Sequence, residues 1–335
     1  MRSFRRVEFV PAAFVAAVLC LTGRSISTAE AKEAYATFDP AGSTNTSPLS
    51  INSSGVIAGY YEDPTGVHGF VRSADGTITS FDADDYPGTE PSSINDSGAV
   101  AGSYDDEAGI LHGFLRAPDG TITTFDPTGS TATLPYSINE RGTIAGTYFD
   151  SVGAAQGFLR AGDGTIKTFN PAGSQDTFPV SINMDGTIAG YYWDGSTYHG
   201  FLRDSNGTIS SFDPAGSTMT VATGINRSGT IAGYFVGDET YKGFLRAAGG
   251  TFTTFDVGTG SVQVTGINQK DVTTGYFDPV RGHKTGFTRR ESGAVSQFRV
   301  PGAAATFPQS INDQRWITGN WQDRDRVYHG FLQTP

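Results

Sequence analysis

Carboxylates recur at one repeated place in this chain: Asp63, Asp106, Asp150, Asp194, Asp238, Asp278 and Asp323. The densest group combines Asp63 and Asp106 with Glu62, Asp82, Asp84, Asp85, Glu90, Asp105 and Glu107. Oxygen donors gathered on loops are what calcium takes. No EF-hand spacing is present, so the plain reading is a solvated acidic rim without a cofactor, with calcium binding as the alternative. His68, His112, His199 and His329 share another position, each two residues before a phenylalanine. Ligands of one zinc must all lie within about 2.1 Å of it, and equivalent positions of successive repeats are too far apart for that. A hydrogen-bonding role at the start of a strand fits these histidines better. Tyr86, Trp193, Tyr198, Trp316 and Trp321 depart from the repeat. Aromatics beside acids and amides suit a sugar, unless the tryptophans pack inside the fold. The expected ligand-binding residues are Asp63, Asp84, Asp85, Asp105, Asp106, Trp193, Tyr198 and Trp321. No G-x-S-x-G, H-E-x-x-H, P-loop or C-x-x-C motif occurs, so no catalytic residue is assigned.

These side chains hang on a repeat. An Ile-Asn pair ends at Asn52, Asn95, Asn139, Asn183, Asn226, Asn268 and Asn312, a period of 42–44 residues. Each pair is followed by a strand of the type TIAGYY and then one of the type HGFLR. A third type, TISSFD, also occurs seven times but out of phase: its first copy, around Phe38, precedes every other strand. A fixed period of 40-odd residues with four strands per unit predicts a propeller. The expectation is an all-β, seven-bladed β-propeller of four-stranded blades (a to d), with the N-terminal strand closing the last blade. Closure removes the free sheet edges that invite aggregation. The Ala-Gly step in strand b is expected to let blades approach closely.

Asp-Gly or a similar pair joins strands c and d, as at Asp75-Gly76. A two-residue turn there fixes a register in which Phe70 faces Phe81. Arg72 and its copies are expected to partner strand d acids such as Asp82 or Asp126. The a–b turns are tight and read as nearly constant, which leaves the b–c and d–a loops of the other face as the place for function. Blade 6 carries Asp271 for the turn glycine and Arg299 for the strand d acid, so irregular hydrogen bonding is expected there.

The chain begins with Arg2, Arg5 and Arg6, an apolar run from Phe9 to Leu21, and Ala29-Glu30-Ala31. This is the pattern of a secretory signal peptide over residues 1–31, leaving one domain over 32–335. Its removal takes the only cysteine, four Lys/Arg and two Asp/Glu, and moves the net charge from −11 to −13. The mature protein is then expected to fold without disulfides. It is expected to reach the periplasm or exterior as a monomer with no membrane span. The acidic balance excludes nucleic acid, whose phosphates need Lys and Arg.

The repeat SIN-x-x-G-x-IAG-x-Y…HGFLR…DGT-x-TTFD resembles the HAF-type extracellular repeat family, from Tyr35 to the C-terminus. This chain has His-Gly-Phe where the family is named for His-Ala-Phe. The resemblance implies a secreted bacterial protein with a propeller fold, and no particular activity. The reading that follows is a non-enzymatic binding module for a glycan or an envelope protein, on the b–c and d–a face. The rivals are a lyase or hydrolase with a funnel active site, which would draw on a basic group at Arg281, His283 and Lys284, and a purely structural surface protein.

Overall fold

The computed structural model describes residues 34–279 and 283–335. Twenty-eight strands, β1 to β28, form seven antiparallel sheets of four strands each, with no helix among the described residues. The expected signal peptide lies outside these residues. Blade 1 holds β2 (Asn45–Ile51), β3 (Ile57–Asp63), β4 (Gly66–Arg72) and β5 (Ile78–Phe81) in that order. These are strands a, b, c and d, and blades 2 to 6 repeat the order. The a strands touch one another around the ring and line a central channel, while the d strands lie outermost.

The last blade holds three strands from the C-terminus, and β1 (Ala34–Phe38) supplies its fourth by pairing with β28 (Tyr328–Thr334). A second closure runs around the channel. Asn52 Nδ2 donates to the Asn95 carbonyl, Asn95 to Asn139, and so on through Asn312, which donates to Asn52, all at 3.0–3.2 Å. Each Oδ1 accepts from its own turn, as Asn183 does from Asp185 and Thr187 at 3.0 Å. The repeated asparagine is therefore the hinge pin of the ring. A buried amide must be bonded, and here each one ties two blades together.

Blade 6 keeps its place in this ring through Asn268, but its hydrogen bonding is irregular as expected, with Arg299 donating to Thr285 Oγ1 at 3.0 Å. Asp271 takes a left-handed φ of 56° where the other turns mostly have glycine. Its Oδ1 accepts from Asn226 Nδ2 at 2.7 Å. Aspartate is among the few non-glycine residues that visit that conformation, and here its side chain bonds the asparagine of the preceding blade.

The c–d register also differs from expectation. Ser73 N donates to Thr77 O and Gly76 N to Ser73 O, with Gly76 at φ 96°. That is a three-residue turn with a bulge, not a two-residue turn. Phe81 consequently faces Gly69, and Phe70 faces Ser80. A shift of one residue turns a side chain to the other face of the sheet. Phe81 thus covers Gly69 of its own blade and meets Phe114 of the next, edge to face at 5.9 Å. All seven d-strand phenylalanines meet a c-strand phenylalanine of the following blade, at 5.9–6.4 Å.

The core therefore lies between blades. Ala58 packs with Ile94, Val100, Tyr104 and Phe114 of blade 2. Gly59 has a different task from the one expected. A Cβ there would stand 2.2 Å from the Ser47 carbonyl, so the glycine admits the bulged a strand of its own blade, not the next blade.

Candidate functional site

The repeated arginines do not pair with strand d acids as expected. Arg72 lies over the Phe38 ring at 4.9 Å, and Arg116 over Phe81 at 4.9 Å. Four more repeat this, so the guanidinium roofs the aromatic pair between blades.

The strand d acids belong to the histidines. Asp82, Asp126, Asp213 and Asp39 lie 2.7–2.9 Å from Nδ1 of His68, His112, His199 and His329. The acids that end strand b, Asp63, Asp106, Asp194 and Asp323, lie 3.2–3.4 Å from the same rings' Nε2. The b–c loops of blades 1, 2, 4 and 7 are thereby bracketed to the outer strand, whereas in blades 5 and 6 the strand b acid pairs with Lys242 and Lys284. Partial burial opposes charge on His112, His199 and His329, but hydrogen bonds and the field of two carboxylates outweigh it and raise their pKa above the ordinary value. Backbone amides of the b–c turn hold Asp106, Asp194 and Asp323 below the usual carboxylate range, with the histidines assisting. Blade 3 builds the same bracket without charge on its centre, from Asp150, Gln156 and Asn170. The expected hydrogen-bonding role of the histidines holds. Among the described residues no three His, Cys, Asp or Glu side chains are placed to share a metal ion.

On the b–c and d–a face the channel opens into a funnel with an uneven wall. In blade 4, Tyr191 stacks on Phe178 at 4.9 Å and meets Tyr198 at 5.5 Å, and Trp193 lies 4.9 Å from Tyr198. Tyr234 and Tyr241 repeat the pair in blade 5 at 5.8 Å. In blade 6 Lys284 sits over Tyr276 and pairs with Asp278. Burial raises the Tyr191 hydroxyl's pKa and pushes that of Tyr234 up to about 12, so both stay protonated and able to donate. Blades 1 and 2 bring acids instead. Glu90 is exposed, yet desolvation by the protein around its carboxyl holds it above the usual range, with Asp105 and Glu62 adding to the effect.

Between blades 7 and 1 the funnel wall holds a cavity of about 420 Å³. Phe307 and Tyr328, 6.0 Å apart, form an aromatic side, faced by Tyr60, Glu62 and Asn45.

Of the sequence-expected residues, Trp193 and Tyr198 come together in the aromatic wall, and Asp105 lies near Glu90. Asp63 and Asp106 are held in histidine brackets. Asp84 and Asp85 sit exposed on the d–a loop. Trp321 stacks on His329 at 4.6 Å inside its blade, with its indole N–H buried and unpartnered. Arg281 lies outside the described residues.

The a–b turns are less constant than expected. The residue after each asparagine varies, and Asp96, Glu140, Met184, Arg227, Gln269 and Asp313 line the channel mouth on that face. Several spend their side chains on the ring itself, as Asp96 does in accepting from Ser53 N at 2.7 Å. Tyr60, Tyr191, Tyr234 and Tyr276 of the other face are not singled out by the sequence either, whereas Glu90 belongs to its dense acidic group. Comparing one repeat column across blades carries that signal, whereas scanning for motifs does not.

No family model and no curated protein matches this sequence. Solved structures share its fold. A catalytically inactive virginiamycin B lyase from Staphylococcus aureus, with quinupristin, has a TM-score of 0.65 at 14% identity, covering 91% of this chain and 100% of its own. The β-propeller domain of the Trilobed protease from Pyrococcus furiosus has a TM-score of 0.64 at 9% identity, covering 87% of this chain and 95% of its own. TolB from Acinetobacter baumannii has a TM-score of 0.51 at 13% identity, covering 84% of this chain and 64% of its own. Likeness at these identities is one of fold.

Proposed function

We propose that this protein is a non-enzymatic binding module of the cell exterior or periplasm that holds a glycan in its funnel. The observation that carries the reading is the aromatic wall of blades 4 to 7, set beside amides and carboxylates. Flat rings stack on the apolar faces of sugars, while amides and carboxylates take the hydroxyls. The repeats resembling HAF-type extracellular repeats, and the expected signal peptide, support export. A scaffold of near-identical blades can present different side chains at each funnel position without changing its core.

A glycan array with the purified protein, followed by calorimetry on each hit, tests this. Trp193→Ala with Tyr198→Ala is expected to weaken a hit about tenfold or more, since stacking losses of ~1.4 kcal/mol give that factor. Melting should change little. Loss on Asp96→Asn and Glu140→Gln instead would place binding on the opposite mouth. An array without hits would sink the reading. A funnel lyase or hydrolase is the second reading, and it rests on Glu90, whose raised pKa suits a general acid. Turnover of a bound glycan, lost in Glu90→Gln, would establish it.

A further inference from the structure

The b–c turn of blade 7 differs in one residue type from the same turn of blades 2 and 3. In blades 2 and 3 the turn runs Asp-x-x-Gly, with the aspartate accepting from the backbone two and four residues on. Gly109 and Gly153 take the left-handed conformation there, at φ 74° and 82°. Blade 7 makes the same turn on Asp323, with Asp325 N and Val327 N donating at 2.8 and 2.9 Å. Its fourth residue is Arg326, at φ 69°. A long side chain in the left-handed region bears a steric cost that glycine does not. Backbone strain of this kind collects where a side chain has a task.

The side chain lines the cavity between blades 7 and 1. Among the described residues no ion pair or side-chain hydrogen bond engages its guanidinium, whereas Lys284, the cation of the neighbouring blade's wall, is paired with Asp278 at 3.2 Å. Phe307 and Tyr328 give the cavity its flat side. Across it, Asn45 joins the two blades, accepting from Tyr328 N at 3.1 Å and donating to Glu62 at 2.9 Å. That leaves the second Glu62 oxygen to meet a hydroxyl, together with the amide oxygen of Asn320, whose Nδ2 donates to Ser47 Oγ at 3.4 Å. The volume of about 420 Å³ falls in the range of small-molecule sites, roughly 300–1,000 Å³.

We infer that this cavity is an anchoring subsite for a sugar ring bearing a carboxylate, a hexuronic acid unit, with Arg326 as the residue that selects the charge. The inference rests on the glycan reading above. A planar guanidinium matches a carboxylate with two parallel hydrogen bonds, while the ring's apolar face lies on Phe307 and Tyr328. Glu62 is bonded to Asn45 on the opposite wall, which keeps the acid group at the Arg326 side.

Glucuronate, glucose and glucosamine titrated into the wild type and into Arg326→Gly, by calorimetry or chemical-shift mapping, test it. Glycine is what the same turn uses in blades 2 and 3, at Gly109 and Gly153, so the fold is retained and melting is expected to hold or rise. Glucuronate should bind the wild type at least about tenfold more tightly than glucose, as a charge-assisted hydrogen bond permits. Arg326→Gly should erase that preference and leave glucose unchanged. Equal binding of glucuronate and glucose, tighter glucosamine, or a preference that survives in Arg326→Gly overturns the inference and leaves the glycan reading standing. Failure of all three sugars to bind overturns the subsite. The glycan reading falls with it only if Trp193 and Tyr198 substitutions alter no array hit.

Discussion

Replacing Phe81 and Phe114 together should reveal a coupling that replacing Phe81 and Phe70 together does not. Phe114 is fully buried, and the Phe81 ring meets it at 5.9 Å with the planes 78° apart. Arg116 closes over the Phe81 ring at 4.9 Å. Phe70 points to the opposite face of the blade, where it meets Phe38 at 6.1 Å. Leucine keeps most of the volume at either site, so each single change should cost no more than about 1.5 kcal/mol. An edge-to-face pair adds about 0.5–1.5 kcal/mol beyond its buried area, and that is the coupling expected between Phe81→Leu and Phe114→Leu. Phe81→Leu with Phe70→Leu should be additive to within about 0.5 kcal/mol. Urea unfolding of the four proteins in each cycle measures both, provided the slope m stays constant across the set. Coupling with Phe70 and none with Phe114 would mean that strands c and d pair in the other register and that the blades are not joined by aromatic contacts.

Deleting residues 34–40 removes β1, leaves the outer edge of β28 unpaired and exposes the Phe70 ring that Phe38 covers. The melting temperature should fall by many degrees and aggregation should appear, and an unchanged melt would argue against closure. Asn312→Ala breaks the amide ring where it joins the last blade to the first. It should cost about 1–3 kcal/mol in urea unfolding, because the Asn52 carbonyl loses one of its two donors and the amides of Gln314 and Trp316 lose their acceptor. The histidine brackets give a pH dependence whose sign follows from their raised pKa. Their stabilisation is full below the unfolded histidine value near 6.5 and is lost as pH rises through the higher folded values. Melting should therefore fall from about pH 6.5 upward, and replacing His112, His199 and His329 by Gln, as blade 3 has Gln156, should flatten that slope. A wild-type melt that rises over that range would show that the brackets are not charged in the folded state.

Repetition made the architecture legible. Seven asparagines at a constant period, and a d-type strand stranded at the N-terminus, contain both the blade number and the closure, because a strand pattern out of phase with its repeat can only complete the other end. The structural reading of the asparagines also followed, since a residue needed once per blade serves the blade. The register did not follow. Asp75-Gly76 suits a two-residue turn and a three-residue turn with a bulge equally in composition, and the choice is made by whether Phe81 can cover Gly69 and reach Phe114. That contact is 33 residues away in sequence and exists only once two blades are side by side. The same limit hid the partners of Arg116 and His112, which the packing of neighbouring strands selects. It hid the funnel too. Trp193 and Tyr198 stood out as departures from the repeat, but Tyr191, Tyr234 and Tyr276 looked like strand filler until the ring turned that column toward one axis. Arg326 shows the division most sharply. The sequence holds an arginine where blades 2 and 3 have glycine, and only the closure of blade 7 on blade 1 sets that side chain beside a cavity, because the two walls come from opposite ends of the chain.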